Sequence, residues 1–171
     1  TCIIKISSVP MEKQIIEAPA RVFESQEDVK NAFKKNELDS DSIIVVRFQG
    51  PIANGMPELH GLTPILSVLQ DRGIKVALIT DGRMSGASGK VPAAIHLSPE
   101  ASSSGPISKI KNGDLIRLDA LSGELNNLEK NFESREVRKK DLTKNESGLG
   151  RELFKVFREN AKSAKYGGGI T

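Results

Sequence analysis

A single cysteine, Cys2, stands in the 171 residues of the chain. One thiol forms no disulfide within the chain, which suits a reducing compartment. Nor can one thiol hold an iron–sulfur cluster, which needs several thiolates. Tryptophan is absent, tyrosine occurs once, and aromatic residues make up 4% of the chain. The core is therefore expected to be aliphatic, and platforms for stacking nucleic-acid bases are scarce. No apolar run approaches the roughly 18 residues of a membrane-spanning helix, and no signal peptide opens the chain. Charge of one sign is missing too: 25 basic residues face 22 acidic ones, a net of +3. So small an excess suits an anionic metabolite as well as nucleic acid. The basic run "REVRKKD" (Arg135–Asp141) has no interleaved aromatics and reads as a solvated face. A soluble, cytoplasmic chain is expected, with neither nucleic acid nor membrane as a partner. An initiating methionine is also absent and an extended pattern begins at once, so the first residue is expected to lie inside a longer chain.

What is present suits one domain with a real core, at 37% hydrophobic residues. "TCIIKIS" (Thr1–Ser7) reads as a strand, and "QIIEAPARVFES" (Gln14–Ser25) as another strand or two, with Pro19 at an edge or bend. Ser25 and Asp28 form a capping box, which predicts a helix over 26–36. "SIIVVRF" (Ser42–Phe48) is a continuous apolar run, as in a strand covered on both faces. A helix is predicted over 64–72, with Thr63 as cap, Pro64 in the first turn and Gly73 at the end. "IKVALIT" (Ile74–Thr80) is the next strand. This strand–loop–helix–strand unit predicts parallel neighbours at 43–48 and 75–80, hence an α/β fold. "LSPEA" (Leu97–Ala101) reads as a short helix start capped by Ser98. "KNGDLIRLDALSGEL" (Lys111–Leu125) reads as strands joined by turns. An amphipathic closing helix is predicted over 150–164, followed by a loose tail over 165–171.

Two glycine-rich loops thus leave the carboxyl ends of neighbouring parallel strands, where ligands gather in open α/β sheets. The first is "QGPIANGMPELHG" (Gln49–Gly61). The second is "TDGRMSGASGK" (Thr80–Lys90), with three glycines, two serines, Arg83 and Lys90. The second loop misses the phosphate-binding P-loop, because Met84 stands where its first glycine belongs and Val91 where its hydroxyl belongs. It misses the dinucleotide fingerprint and the nucleophile elbow as well. Two readings remain open. One is an anion cradle of backbone N–H groups, Arg83, Lys90, Ser85 and Ser88. The other is a tight turn capping a helix that starts near Pro92. Asp81 reads as a turn-former, Glu58 as a surface carboxylate, and His60 and His96 as structural or surface residues.

The stretch "DGRMSGASGKVPAAIHLSPEA" (Asp81–Ala101) resembles a signature of the dihydroxy-acid and sugar-acid dehydratases, and "GPIANGMPELH" (Gly50–His60) resembles a second one. "QIIEAPARVFESQEDVKNAF" and "GLGRELFKVFRENA" are similar to that family too, so the resemblance spans nearly the whole chain. After "DGRMSG" the continuation "ASGKVPAAIH" is similar to the family's phosphogluconate branch and not to the G-T-R-G-like segment of its branched-chain amino-acid branch. The resemblance implies a swivelling β/β/α-type domain with a mixed, barrel-like sheet and flanking helices. Residues 1–171 would form the single C-terminal domain of a longer, homodimeric enzyme. Its absent N-terminal domain would carry the cysteines of an iron–sulfur cluster, of the 4Fe–4S type, so the fragment alone is expected to be inactive. The implied reaction removes water from 6-phospho-D-gluconate to give 2-dehydro-3-deoxy-6-phosphogluconate, a step of the Entner–Doudoroff pathway. Ser85 matches the family's catalytic base and Glu58 a Mg2+ ligand. Charge and position assign Arg83, Ser88 and Lys90 to the substrate's anionic groups. The alternatives are a dehydratase of another sugar acid or of 2,3-dihydroxy acids, and a stand-alone anion-binding module.

Overall fold

The structure is a computed structural model that describes residues 1–85 and 90–171. Seven strands form one mixed sheet: β1 (Ile3–Lys5), β2 (Ile15–Phe23), β3 (Ser42–Val46), β4 (Val76–Thr80), β5 (Ala93–Ile95), β6 (Leu115–Asp119) and β7 (Glu124–Asn127). Their spatial order is β1-β5-β4-β3-β2-β6-β7. The central strands β2, β3, β4 and β5 run parallel, and β1, β6 and β7 pair antiparallel at the two sides. The expected parallel pairing of β3 with β4 is present, in the register Ile44↔Leu78.

β2 serves two halves of the sheet. Its residues Ile15–Pro19 pair with β6, and Ala20–Phe23 pair with β3. The change of partner falls after Pro19, whose ring removes a ladder donor.

Alternation along β3 and β4 sorts the core into two layers. Ile44, Val46, Val76 and Leu78 face the helices α1 (Gln26–Lys34) and α3 (Leu62–Asp71), against Val29, Ala32, Leu62, Leu66 and Leu69. Ile43, Val45, Ala77 and Ile79 face the other way and pack with Ile16, Ile116 and Leu118 from the β2–β6 half. Both halves of the sheet therefore close on one apolar cluster, which is what curls the sheet into its half-barrel. The five residues of β3 and the five of β4 are all buried, as a strand covered on both faces requires.

Ser25 caps α1 as the capping box predicts, accepting the Asp28 N–H at 3.1 Å. Four local readings are corrected. The helix expected at 64–72 starts earlier, at Leu62, so Thr63 lies inside it and its buried hydroxyl has no hydrogen-bond partner among the described residues. The Gly61 N–H is instead taken by the Gln26 side chain, at 2.8 Å. Pro92 stands directly before β5 and begins no helix. Ser98 caps nothing: its hydroxyl donates to the His96 carbonyl, and the single turn that follows begins at Ala101 after Glu100. The closing segment is a 3-10 turn over Arg151–Phe154 and a short helix, α4 (Lys155–Asn160), and Leu153, Phe154, Val156 and Phe157 all lie exposed. Among the described residues, no helix is long and apolar enough to cross a membrane.

Candidate functional site

β3 and β4 end side by side, and each feeds one glycine-rich loop. Asp81 ties the two strand ends together. Its carboxylate accepts N–H groups from Phe48 at 3.1 Å, Gln49 at 2.9 Å and Ala101 at 2.9 Å. The Phe48 contact also holds a backbone at φ +62, a left-handed conformation that a bulky side chain adopts only when its surroundings enforce it. Burial pushes the Asp81 carboxyl up to about 6; its three N–H donors pull the other way and the nearby Glu100 charge adds to the rise. Asp81 is thus the turn-former of the sequence reading, and its reach extends to two other segments, at Phe48–Gln49 and at Ala101.

Glu100 performs a similar task for the first loop. It accepts the Ile52 N–H at 3.1 Å and the Ala53 N–H at 2.8 Å, the opening donors of α2 (Pro51–Asn54). Gly50 lies directly against this carboxylate, and a Cβ there would collide with it. At Gly82 a Cβ would meet the Cβ of Gln49 at 2.7 Å. Gly82 of the second loop thus lies directly against Gln49 of the first, and side chains at these glycines have no room.

The loops are then stitched together further out. Glu58 and Arg83 form an isolated parallel β-bridge, in which the Leu59 N–H donates to the Arg83 carbonyl at 2.9 Å. The Arg83 side chain reaches back to the first loop, and its Nε–H donates to the Met56 carbonyl at 2.8 Å. Two of the residues singled out in the sequence, 25 positions apart, are therefore direct neighbours. The Glu58 side chain is half-buried and makes no hydrogen bond or ion pair among the described residues, so its oxygens are available to a cation or a donor. Ser85 is half-buried two residues beyond the bridge. Lys90 is exposed on the far stem of the loop, where its carbonyl accepts from Gln70 of α3 at 3.3 Å. No described contact joins its ammonium to Arg83 or Glu58. Ser88 lies outside the described residues.

His96, read as structural or surface, is half-buried on the flank of this site at φ +58, with its N–H on the Gly82 carbonyl at 2.9 Å. Burial and then the Arg83 charge hold its imidazole below the usual pKa, so it is uncharged at neutral pH. Sequence spacing carries no sign of this proximity, because the parallel return of β5 creates it.

Metal chemistry has a narrow basis within the chain. Among the described residues no group of three His, Cys, Asp or Glu side chains gathers as a metal site. Glu58 fits the part of one carboxylate ligand to a hard cation that takes its other ligands elsewhere. An iron–sulfur cluster does not fit this chain, because Cys2 is its only thiol, and burial raises that thiol's pKa.

Residues 1–168 match the family described as "Dihydroxy-acid/6-phosphogluconate dehydratase C-terminal". The chain belongs to that family. Among the curated dehydratases it is 54% identical over 170 residues to the phosphogluconate dehydratase of Rhizobium meliloti (strain 1021), covering 98% of this chain and 28% of that protein. It is 54% identical over 167 residues to the phosphogluconate dehydratase of Escherichia coli (strain K12), covering 96% and 28%. With the dihydroxy-acid dehydratase of Ignicoccus hospitalis (strain KIN4/I / DSM 18386 / JCM 14125) the identity is 37% over 171 residues, covering 98% and 30%. The chain therefore spans a little over a quarter of the length of these dehydratases.

Proposed function

We propose that this chain is the C-terminal, swivelling domain of a phosphogluconate dehydratase. It supplies one half of a site that removes water from 6-phosphogluconate to give 2-dehydro-3-deoxy-6-phosphogluconate. The observation that carries the reading is the stitched pair of loops at the ends of β3 and β4, in a chain 54% identical to phosphogluconate dehydratases. The other half comes from an N-terminal domain, and the whole enzyme is a homodimer.

The chemistry assigns tasks to this chain's residues. The proton at C2 lies beside a carboxylate, so its removal builds up negative charge next to an existing one. Positive charge held at that carboxylate lowers the barrier. Arg83 is anchored to the first loop by one donor and keeps the rest of its guanidinium for that purpose, and Lys90 and Ser88 serve the substrate's anions from the rest of the loop. Glu58 contributes a carboxylate oxygen to a Mg2+ ion, which when bound withdraws electron density from the substrate. Ser85 is the base that takes the C2 proton. A serine hydroxyl does this only where positive charge stabilises its alkoxide, and Arg83 two residues away is one source. The hydroxyl group leaves from C3 and is protonated to water, and the resulting enol rearranges to the 2-oxo acid. A cluster that assists this departure would be held by thiolates from outside this chain.

The test is turnover of 6-phosphogluconate by the full-length enzyme, wild type against Ser85→Ala, with folding checked in both. Loss of about 10²–10⁴-fold in kcat with intact substrate binding is expected for the missing base. Near-normal turnover in the variant sinks that role. A wild type that ignores 6-phosphogluconate but dehydrates an unphosphorylated acid keeps the family and overturns the substrate.

A further inference from the structure

The same turn that receives Arg83 on one side receives a second arginine on the other. Met56 offers its carbonyl to Arg83. Asn54, two residues earlier, offers its side-chain oxygen to both terminal nitrogens of Arg151, at 3.3 Å each. Asn54 is itself fixed, because its amide donates to the Gln49 side chain at 3.0 Å. Arg151 then positions Arg158, whose guanidinium donates to the Arg151 carbonyl at 2.7 Å and to the Glu146 carbonyl at 3.2 Å. The first signature loop and the C-terminal arm are thus joined by a chain of hydrogen bonds that runs through two guanidinium groups.

These two cations are held in an unusual manner. Among the described residues every hydrogen-bond partner of Arg151 and Arg158 is a neutral oxygen, and neither forms an ion pair with a carboxylate. The neighbouring acids make their direct contacts elsewhere: Glu152 accepts the Gly148 N–H at 2.8 Å and feels the Arg158 charge only through space, and Glu159 pairs with Lys155 at 3.6 Å. Neutral acceptors orient a guanidinium without cancelling its charge. Both groups line one groove of about 650 Å³, whose walls are the Asn54–Met56 turn, the rings of Phe154 and Phe157, and the tail at Gly167 and Gly168. Half-buried arginines beside apolar rings form a setting in which a multivalent oxyanion is bound bidentately and strongly.

We propose that this groove is the phosphate subsite, and that Arg151 and Arg158 bind the phosphomonoester end of the substrate. The inference rests on the functional reading above and refines it. A phosphorylated sugar acid carries an anion at each end of a six-carbon chain. Arg83 and the second loop take the carboxylate end, and the arm takes the other, with the Asn54–Met56 turn between them. A dehydratase of unphosphorylated acids has no use for the second pair of cations.

The experiment uses the full-length enzyme and the variants Arg158→Gln, Arg158→Lys and Arg151→Gln. Two quantities are read: the KM for 6-phosphogluconate, and the binding of inorganic phosphate measured by calorimetric titration and by competition with substrate. Arg158→Gln is expected to raise KM about 10- to 100-fold and to weaken phosphate binding by a similar factor, the worth of one charge-assisted contact. Arg158→Lys, which keeps the charge, should lie between it and the wild type, and Arg151→Gln should follow Arg158→Gln. A lower melting temperature with unchanged KM and phosphate affinity would mean that the arginines only brace the arm, and overturns the proposal. So does phosphate that inhibits without competing with substrate, which would make the groove a regulatory site for the free ion. Failure of the wild type to use 6-phosphogluconate sinks the functional reading instead; equal phosphate affinity in wild type and Arg158→Gln sinks the subsite whichever acid is the substrate.

Discussion

Asp81 touches no solvent, although it belongs to the most polar stretch of the chain. Its carboxyl is pushed up from the ordinary 3.8 to about 6, so the folded state holds this proton more tightly than the unfolded chain does. Its contribution to stability is therefore full below about pH 4, declines as pH rises through about 6, and is constant above that. The size of the effect is about 3 kcal/mol across that window. Asp81→Asn cannot ionise, and urea unfolding at several pH values should show the difference between wild type and variant changing by that amount between pH 4 and pH 7. A difference that stays constant would mean that Asp81 titrates normally. At this scale the sequence was legible in part. Arg83 and Glu58 were visible as charged residues in glycine-rich loops, and the structure makes them neighbours. The family resemblance, not the spacing, gave Ser85 its role. Arg151 and Asn54 went unnoticed, because a hydrogen bond between residues 97 positions apart leaves no periodic trace, and Arg158 is placed only through Arg151.

Among the elements, those whose local chemistry agrees with their surroundings were read most accurately. The capping box at Ser25 marks the start of α1, and Ser25→Ala is expected to cost about 1 kcal/mol in chemical unfolding, with no change in the position of the loops. The uniform apolar runs of β3 and β4 announce strands buried on both faces. Thr63 shows where such reading stops. A threonine before a proline looks like a cap, but Gln26 of α1 reaches across to Gly61, and α3 begins one residue before Thr63. Pro92 misleads for a related reason: the residues after it are drawn into the sheet as β5, parallel to β4. Tertiary contacts decided both cases against local signals.

The molecule as a whole divides into a buried sheet and an arm that lies on its surface. The two core clusters contain no residue beyond Leu142, while Leu153, Val156 and Phe157 in the arm are more than half exposed. Deleting residues 148–171 is therefore expected to leave cooperative unfolding of the sheet in place, with a change below about 1 kcal/mol, while removing both arginines of the groove. Circular dichroism melts of the truncated and intact proteins check this. A collapse of the melt would show that the arm supports the core. The parallel β3–β4 unit could be read from periodicity and turns, while the mixed, barrel-like class came with the family resemblance. The exposed apolar face of the arm could not, because an amphipathic pattern does not say what its apolar side meets.

The change of partner along β2 has a consequence for how the chain is made. Ile15 waits for Asp119, and Ile3 waits for Ile95, each about a hundred residues further along. A ribosome delivers β2, β3 and β4 long before β6, so the newborn sheet spends that interval with the edge at Ile15–Pro19 unpaired. Open edges of that kind recruit strands from other chains. The interval is brief only while synthesis is fast. A pause before Leu115 leaves an incomplete sheet, with Ile16 and Ala18 uncovered, for as long as the pause lasts.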